Sequence, residues 1–185
     1  MRTAVFFETD GVLNQMRVVK GQQVSPMTLE EFRLNPDAEE PLRRLKAAGY
    51  VLLAITNQPG LSLGVQSRRE LDLMHAQLQR HFNLHGVLLC PHGEADDCSC
   101  RKPQAGLITE AAFKWHLDLE RSFVVSDKWQ DAKAAHIAGC TSILIKSPWN
   151  GTGHYDFVVK DIGAAVSKIL QLQPSGCARP KCGTS

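Results

Sequence analysis

Ala4-Val5-Phe6-Phe7-Glu8-Thr9-Asp10-Gly11 sets four apolar residues directly against two carboxylates and a glycine. A continuous apolar run this short suits a strand buried on both faces, as in a parallel sheet covered by helices. Gly11 breaks the run, and the acids are left where the strand stops. The same punctuation recurs outward from there. Tyr50 to Ile55 is a second apolar strand, closed by the turn sequence Thr56-Asn57-Gln58-Pro59-Gly60. Gly86 to Leu89, Ser122 to Val125, Thr141 to Ile145 and Phe157 to Val159 read as further strands.

Helical patterns fill the intervals. Asn35 and Pro36 fit the cap and first position of a helix that carries Leu42 and Leu45 on one face and stops at Gly49. Pro41 sits awkwardly in it. Ser67 and Glu70 form a capping-box pair ahead of Leu71, Met74, Leu78 and Phe82 at helical spacing. Leu107, Ile108, Ala111, Ala112 and Trp115 repeat the pattern over 104–117. Further helices are expected over 129–138, stopped by Gly139, and over 161–172. Strands alternating with helices predict an α/β fold with a mostly parallel sheet covered on both faces. Residues 15–34 are weakly periodic and read as a loop or short flap. One domain over 1–173 and a flexible polar tail over 174–185 are expected.

Composition narrows the function classes. With 43% hydrophobic and 22% charged residues in 185, the chain can bury a large core without disulfides. A net charge of +2 is too small to argue for nucleic acid or a membrane surface. No run of about 18 apolar residues occurs, so no membrane span is expected. Met1-Arg2-Thr3 leads straight into the first strand without a small-residue cleavage site, so a cytoplasmic, reducing setting is expected. Nothing in the pattern calls for more than a monomer.

In such a setting, clustered cysteines point to metal rather than disulfide. Cys90, His92, Cys98 and Cys100 give Cys-x-His-x5-Cys-x-Cys, a tetrahedral Cys3His set for a structural Zn2+ with no open position. Cys140 reads as a small buried residue, and Cys177 and Cys182 as part of the tail. His75, His81, His85, His116, His136 and His154 show no paired spacing and read as surface or core residues. Trp129 reads as packing rather than a surface for stacking a ligand, and Trp149 carries no clear signal.

The remaining polar residues fall at strand ends. Glu8 and Asp10 follow the first strand, Thr56 and Asn57 the second, Arg101 and Lys102 the third, and Asp127, Lys128 and Asp131 the fourth. Ligands of open parallel sheets bind outside the carboxyl ends of the strands. Carboxylates converging there repel unless a divalent cation joins them, and hard oxygens favour Mg2+. The nearby cations suit a phosphate.

These residues resemble the motifs of the haloacid dehalogenase (HAD) superfamily. Phe7-Glu8-Thr9-Asp10-Gly11-Val12-Leu13-Asn14 is similar to its first motif, Thr56-Asn57-Gln58 to its second, Lys102 to its third and Val125-Ser126-Asp127-x-x-x-Asp131 to its fourth. Cys90-Pro91-His92 with Cys98-Ser99-Cys100-Arg101-Lys102-Pro103 resembles the zinc loop of the subgroup that holds the heptose-bisphosphate and histidinol-phosphate phosphatases. The resemblance covers residues 4–146. It implies a Rossmann-like three-layer sandwich with a short flap instead of a large cap, and a zinc-bound loop. It implies Mg2+-dependent hydrolysis of a small phosphomonoester, such as a sugar phosphate, through an acyl phosphate.

The roles carried over are these. Glu8 would be nucleophile and metal ligand. Asp10 would be general acid and base, with its backbone carbonyl on the metal, and Asp127 would be the third ligand. Thr56 and Lys102 would stabilise the transferring group. Asn57, Gln58, Arg101 and Lys128 would contact substrate, and Asp131 would orient Lys102 or a water on the metal. Two positions depart from the pattern. Leu63-Gly64 stands where the family often has Arg-Gly. Glu8 stands where it has Asp, one methylene shorter. Three readings of Glu8 stay open: an adapted or impaired phosphatase, an inactive phosphate-binding protein, and an engineered residue that traps a ligand.

Overall fold

The computed structural model describes residues 1–148 and 150–172. Trp149 and the tail with Cys177 and Cys182 lie outside the described residues. Eight strands are described: β1 (Ala4–Glu8), β2 (Arg17–Val19), β3 (Gln22–Val24), β4 (Val51–Asn57), β5 (Gly86–Cys90), β6 (Phe123–Ser126), β7 (Thr141–Ile145) and β8 (Phe157–Val159). Five α-helices join them: α1 (Glu39–Ala47), α2 (Arg68–His81), α3 (Gly106–Trp115), α4 (Trp129–Ala138) and α5 (Ile162–Leu172). Six strands form one sheet in the order β5-β4-β1-β6-β7-β8, and every pairing in it is parallel. No helix among the described residues is long and apolar enough to cross a membrane.

The period-2 alternation of β1 explains the layers. Val5 and Phe7 pack in one core with Leu42, Leu45, Leu71, Leu78, Val166 and Ile169, from α1, α2 and α5. Ala4 and Phe6 pack in the other with Leu107, Ile108, Ala134 and Ala135, from α3 and α4. Each large side chain buried this way contributes about 1.5–3 kcal/mol. The result is the three-layer α/β sandwich that the strand–helix alternation predicts.

The position of Pro41 is resolved by a later helix start. Pro36–Ala38 forms a single 3-10 turn, with the Asp37 N–H donating to Asn35 Oδ1 at 3.1 Å. α1 begins at Glu39, so Pro41 lies in its first turn, where no intrahelical donor is required. The flap is more regular than its sequence suggests. β2 and β3 form an antiparallel hairpin across Lys20 and Gly21, both at positive φ, as a two-residue turn of primed type requires. The Ser67 hydroxyl caps α2, but Glu70 does not complete the box. Its Oε2 instead accepts the flap's Leu29 N–H at 2.6 Å.

Candidate functional site

The chain runs from β1 to β4 and β5 on one side, then crosses to β6 on the other. The carboxyl end of β1 is therefore the switch point of the sheet, where a ligand crevice is expected. Glu8 is the last residue of β1 and is buried. Its Oε1 accepts the Thr9 N–H at 2.9 Å and the Thr9 hydroxyl at 3.3 Å. Its Oε2 accepts a hydrogen bond from Lys102 Nζ and lies 4.0 Å from Lys128 Nζ. Lys102 Nζ also donates to Asp131 Oδ1 at 2.6 Å and to the Ile55 carbonyl at 3.2 Å, which uses all three ammonium protons.

The electrostatics follow from one buried ammonium between two buried carboxylates. Burial pushes the Glu8 carboxyl up, but Lys102 and Lys128 outweigh it and hold the group at about 2. Burial also pushes Asp131 up; Lys102 lowers it again, but the negative Glu8 adds to the rise, leaving it at about 6. Burial disfavours the Lys102 charge, yet Asp131 and Glu8 raise its pKa above the ordinary lysine value. Lys128 is raised as well, against its own burial, by Glu8, Asp127 and Asp10.

Asp10 has a separate set of partners. Asn14 Nδ2 donates to its Oδ1 at 2.9 Å, and Ser25 Oγ and Gln58 Nε2 donate to Oδ2 at 2.7 and 3.3 Å. Its backbone carbonyl accepts from Lys128 Nζ at 3.1 Å. The Thr56 hydroxyl lies 2.9 Å from Thr9 Oγ1 and accepts from Gln58 Nε2 at 3.0 Å. Glu8, Asp10, Thr56, Lys102, Asp127, Lys128 and Asp131 thus share one rim of the sheet. Asn57 and Gln58 have internal partners. Asn57 clamps the Lys102 backbone, donating to its carbonyl and accepting its N–H, both at 3.1 Å. Arg101 borders a cleft of about 270 Å³ beside Lys102, with its guanidinium donating to the His92 carbonyl at 3.0 Å.

The oxygens of this rim fit a divalent cation. The Glu8 carboxylate and the Asp10 carbonyl already face a positive charge, that of Lys128. Asp127 comes close to the same turn because residue 11 is glycine. Gly11 has φ +91°, and a Cβ there would lie 2.9 Å from Asp127 Oδ2. All three donors are hard oxygens, as Mg2+ prefers. The cysteine loop fits a second metal. The ligand atoms of Cys90, His92, Cys98 and Cys100 all lie within 4.8 Å of one another. His92 presents Nδ1, 3.3 Å from Cys100 Sγ and 3.5 Å from Cys90 Sγ. This set could hold Zn2+ with no ligand position left over.

Sequence reasoning passes over Ser25 and gives Asn14, the end of the first motif, no role. Asn14 stands four residues after Asp10, on the turn where the Leu13 and Asn14 N–H groups donate to the Thr9 carbonyl at 2.9 and 3.0 Å. That short spacing is a usable signal. Ser25 reaches Asp10 from the flap, and only the hairpin's geometry reveals it. His75 and Cys140 are buried, within the roles expected for them.

The HAD-hydrolase-like family model matches residues 99–165. The chain is 33% identical over 174 residues to the D-glycero-beta-D-manno-heptose-1,7-bisphosphate 7-phosphatase of Helicobacter pylori, spanning 90% of this chain and 96% of that protein. It is 30% identical over 184 residues to the enzyme of that name from Pseudomonas aeruginosa, spanning 92% and 99%. Among solved structures, the D,D-heptose 1,7-bisphosphate phosphatase from B. bronchiseptica, complexed with magnesium and phosphate, superposes with a TM-score of 0.80 at 27% identity. That match covers 93% of this chain and 99% of the other.

Proposed function

The chain belongs to the HAD-like phosphatases, in the family of the heptose-1,7-bisphosphate 7-phosphatases, and on that premise we propose that it hydrolyses a small sugar phosphate, such as a heptose bisphosphate, through an acyl phosphate on Glu8. The observation that carries this reading is the buried Glu8 carboxylate at the switch point, beside two ammonium groups that favour its ionised form. Glu8, the Asp10 carbonyl and Asp127 would hold Mg2+. When bound, the ion supplies counter-charge for the phosphoryl oxygens.

A Glu8 oxygen attacks phosphorus, and the bond from phosphorus to the sugar oxygen breaks. Protonated Asp10 gives its proton to that oxygen. Water then attacks the same phosphorus, Asp10 takes a proton from it, and the anhydride bond breaks to return Glu8 and release phosphate. Lys102 and the Thr56 hydroxyl stabilise the charge on the transferring group. Arg101 and Lys128 contact the substrate, while Asn57 and Gln58 fix Lys102 and Asp10. A reducing cytoplasm would keep the free cysteines of this loop available to a metal. Phosphate release in Mg2+ over a panel of phosphomonoesters tests the reading. Turnover with sugar phosphates preferred is expected, and absence of turnover across the panel would leave a phosphate-binding protein instead.

Ser25 is the hydroxyl among these donors to Asp10, able to donate or accept at the same atom. Asn14 and Gln58 face Asp10 with their amide nitrogens, which only donate, whereas a hydroxyl can turn as Asp10 gains or loses its proton. Ser25→Ala is expected to lower kcat by roughly 10-fold, the scale of one hydrogen bond to a charged group. Steady-state kinetics check this, and an unchanged kcat would detach the flap from the chemistry. Zinc has its own test. Elemental analysis of the purified protein should find one zinc per chain, and chelation should lower the melting temperature. Cys98→Ser should do the same. A protein free of zinc, with melting indifferent to chelator, would refute the structural metal.

A further inference from the structure

Trp129 opens α4 immediately after Lys128, and the chemistry above leaves it unused. Sequence reasoning treats it as packing, yet it is 36% exposed and borders the cleft of about 270 Å³ next to Lys102. That volume is near the lower end for ligand pockets, about 300–1,000 Å³, and suits one sugar ring.

The indole is held in place from behind. Gly151 has φ +66° and lies against its pyrrole edge, where a Cβ would come 2.8 Å from Cδ1. The segment that carries Gly151 is itself pinned. Asn150 Nδ2 donates to the carbonyls of Asp127 and Ile145, each at 2.9 Å, and Ser147 Oγ donates to the Asp127 carbonyl at 3.0 Å. An aromatic side chain with the Gly151 backbone against its Cδ1 edge therefore lines the cleft that also borders Lys102. Glu94 and Gln104, both exposed, line the same cleft and can accept or donate hydrogen bonds to hydroxyl groups.

We infer that Trp129 is the platform on which the ring of a cyclic sugar phosphate rests, making it a specificity-determining residue that favours pyranose over acyclic phosphates. The inference rests on the phosphatase reading for the position of the phosphate. The apolar C–H face of a pyranose lies on the indole, its hydroxyls turn toward Glu94 and Gln104, and its phosphate reaches Glu8 and Lys102. An acyclic polyol phosphate has no such face to offer.

The test is a ratio of specificities. kcat/KM is measured for glucose 6-phosphate and for glycerol 3-phosphate with the parent protein, Trp129→Ala and Trp129→Phe. In Trp129→Ala the pyranose-to-glycerol ratio should fall about 10-fold, chiefly through KM for the pyranose, the scale of an aromatic contact. Trp129→Phe should restore most of it. An unchanged ratio overturns the inference, because a merely structural role would lower both substrates alike. Calorimetric titration of glucose 6-phosphate into Asp10→Asn and Asp10→Asn/Trp129→Ala reads the same contact without turnover. Roughly 10-fold weaker binding in the double variant supports the platform even if the parent hydrolyses nothing. Equal affinity, or no binding to either, overturns it.

Discussion

Glu8→Gln is expected to abolish turnover, by roughly 10⁴-fold or more, while the chain still folds. Glutamine keeps the length of the side chain and can still accept from Lys102, but it offers no nucleophilic oxygen. Phosphate release measures the loss, and circular dichroism confirms the fold. The same variant carries a pH signature. Glu8 is held at about 2 against 4.5 for an unperturbed glutamate. A depressed carboxyl stabilises the folded chain above its unfolded value, and that share is lost as pH falls from 4.5 toward about 2. In chelator, urea unfolding of Glu8→Gln should lack this part of the acid dependence. Asp131 acts in the opposite sense. Raised to about 6 from 3.8, its share is present below 3.8 and lost as pH rises through 6. Glu8→Asp draws the carboxylate back by one methylene, a displacement that can change the rate by about 100-fold. Activity in Glu8→Asp with none in the parent would make Glu8 the residue that silences the site.

Lys102→Met is expected to cost about 3–5 kcal/mol of stability, because Glu8 and Asp131 would stay buried without their shared counter-ion. For a domain of this size that corresponds to a fall in melting temperature of roughly 6–20 °C. Removing the ammonium also removes a charge from the transferring group, worth about 10²–10³-fold in kcat. Lys102→Arg separates the two effects. It keeps the charge, so most of the stability should remain. Its planar fork cannot reproduce three bonds from one nitrogen to Glu8, Asp131 and the Ile55 carbonyl, so kcat should still fall. Thermal melts and kinetics on both variants check this, and unchanged melting of Lys102→Met would contradict the buried triad.

The residues that proved legible in the sequence are those whose roles are local. The apolar run of β1, the stop at Gly139 and the spacing from Cys90 to Cys100 each carry their structural meaning within a few residues. So do the acids that end β1 and follow β6. What was not legible depends on contacts made across the fold. β2 and β3 are three residues each, too short for alternation to register, although Lys20-Gly21 between them is a turn signal. Ser25 meets Asp10, and Glu70 meets Leu29, only once the flap has closed over α2. Asn57 reads as a ligand for substrate from its motif, yet its amide is taken up by the backbone of Lys102, 45 residues on. Trp129 reads as packing because its exposure depends on where the segment around Gly151 returns.

The most direct measurement is to stop the reaction with acid during turnover of a sugar phosphate in Mg2+ and weigh the peptide that carries Glu8. A peptide heavier by one phosphoryl group, with the modification on Glu8 and absent from Glu8→Gln, is the expected result. Continued turnover with an unmodified Glu8 peptide, or a phosphoryl group on another residue, would contradict the assignment of Glu8 as nucleophile.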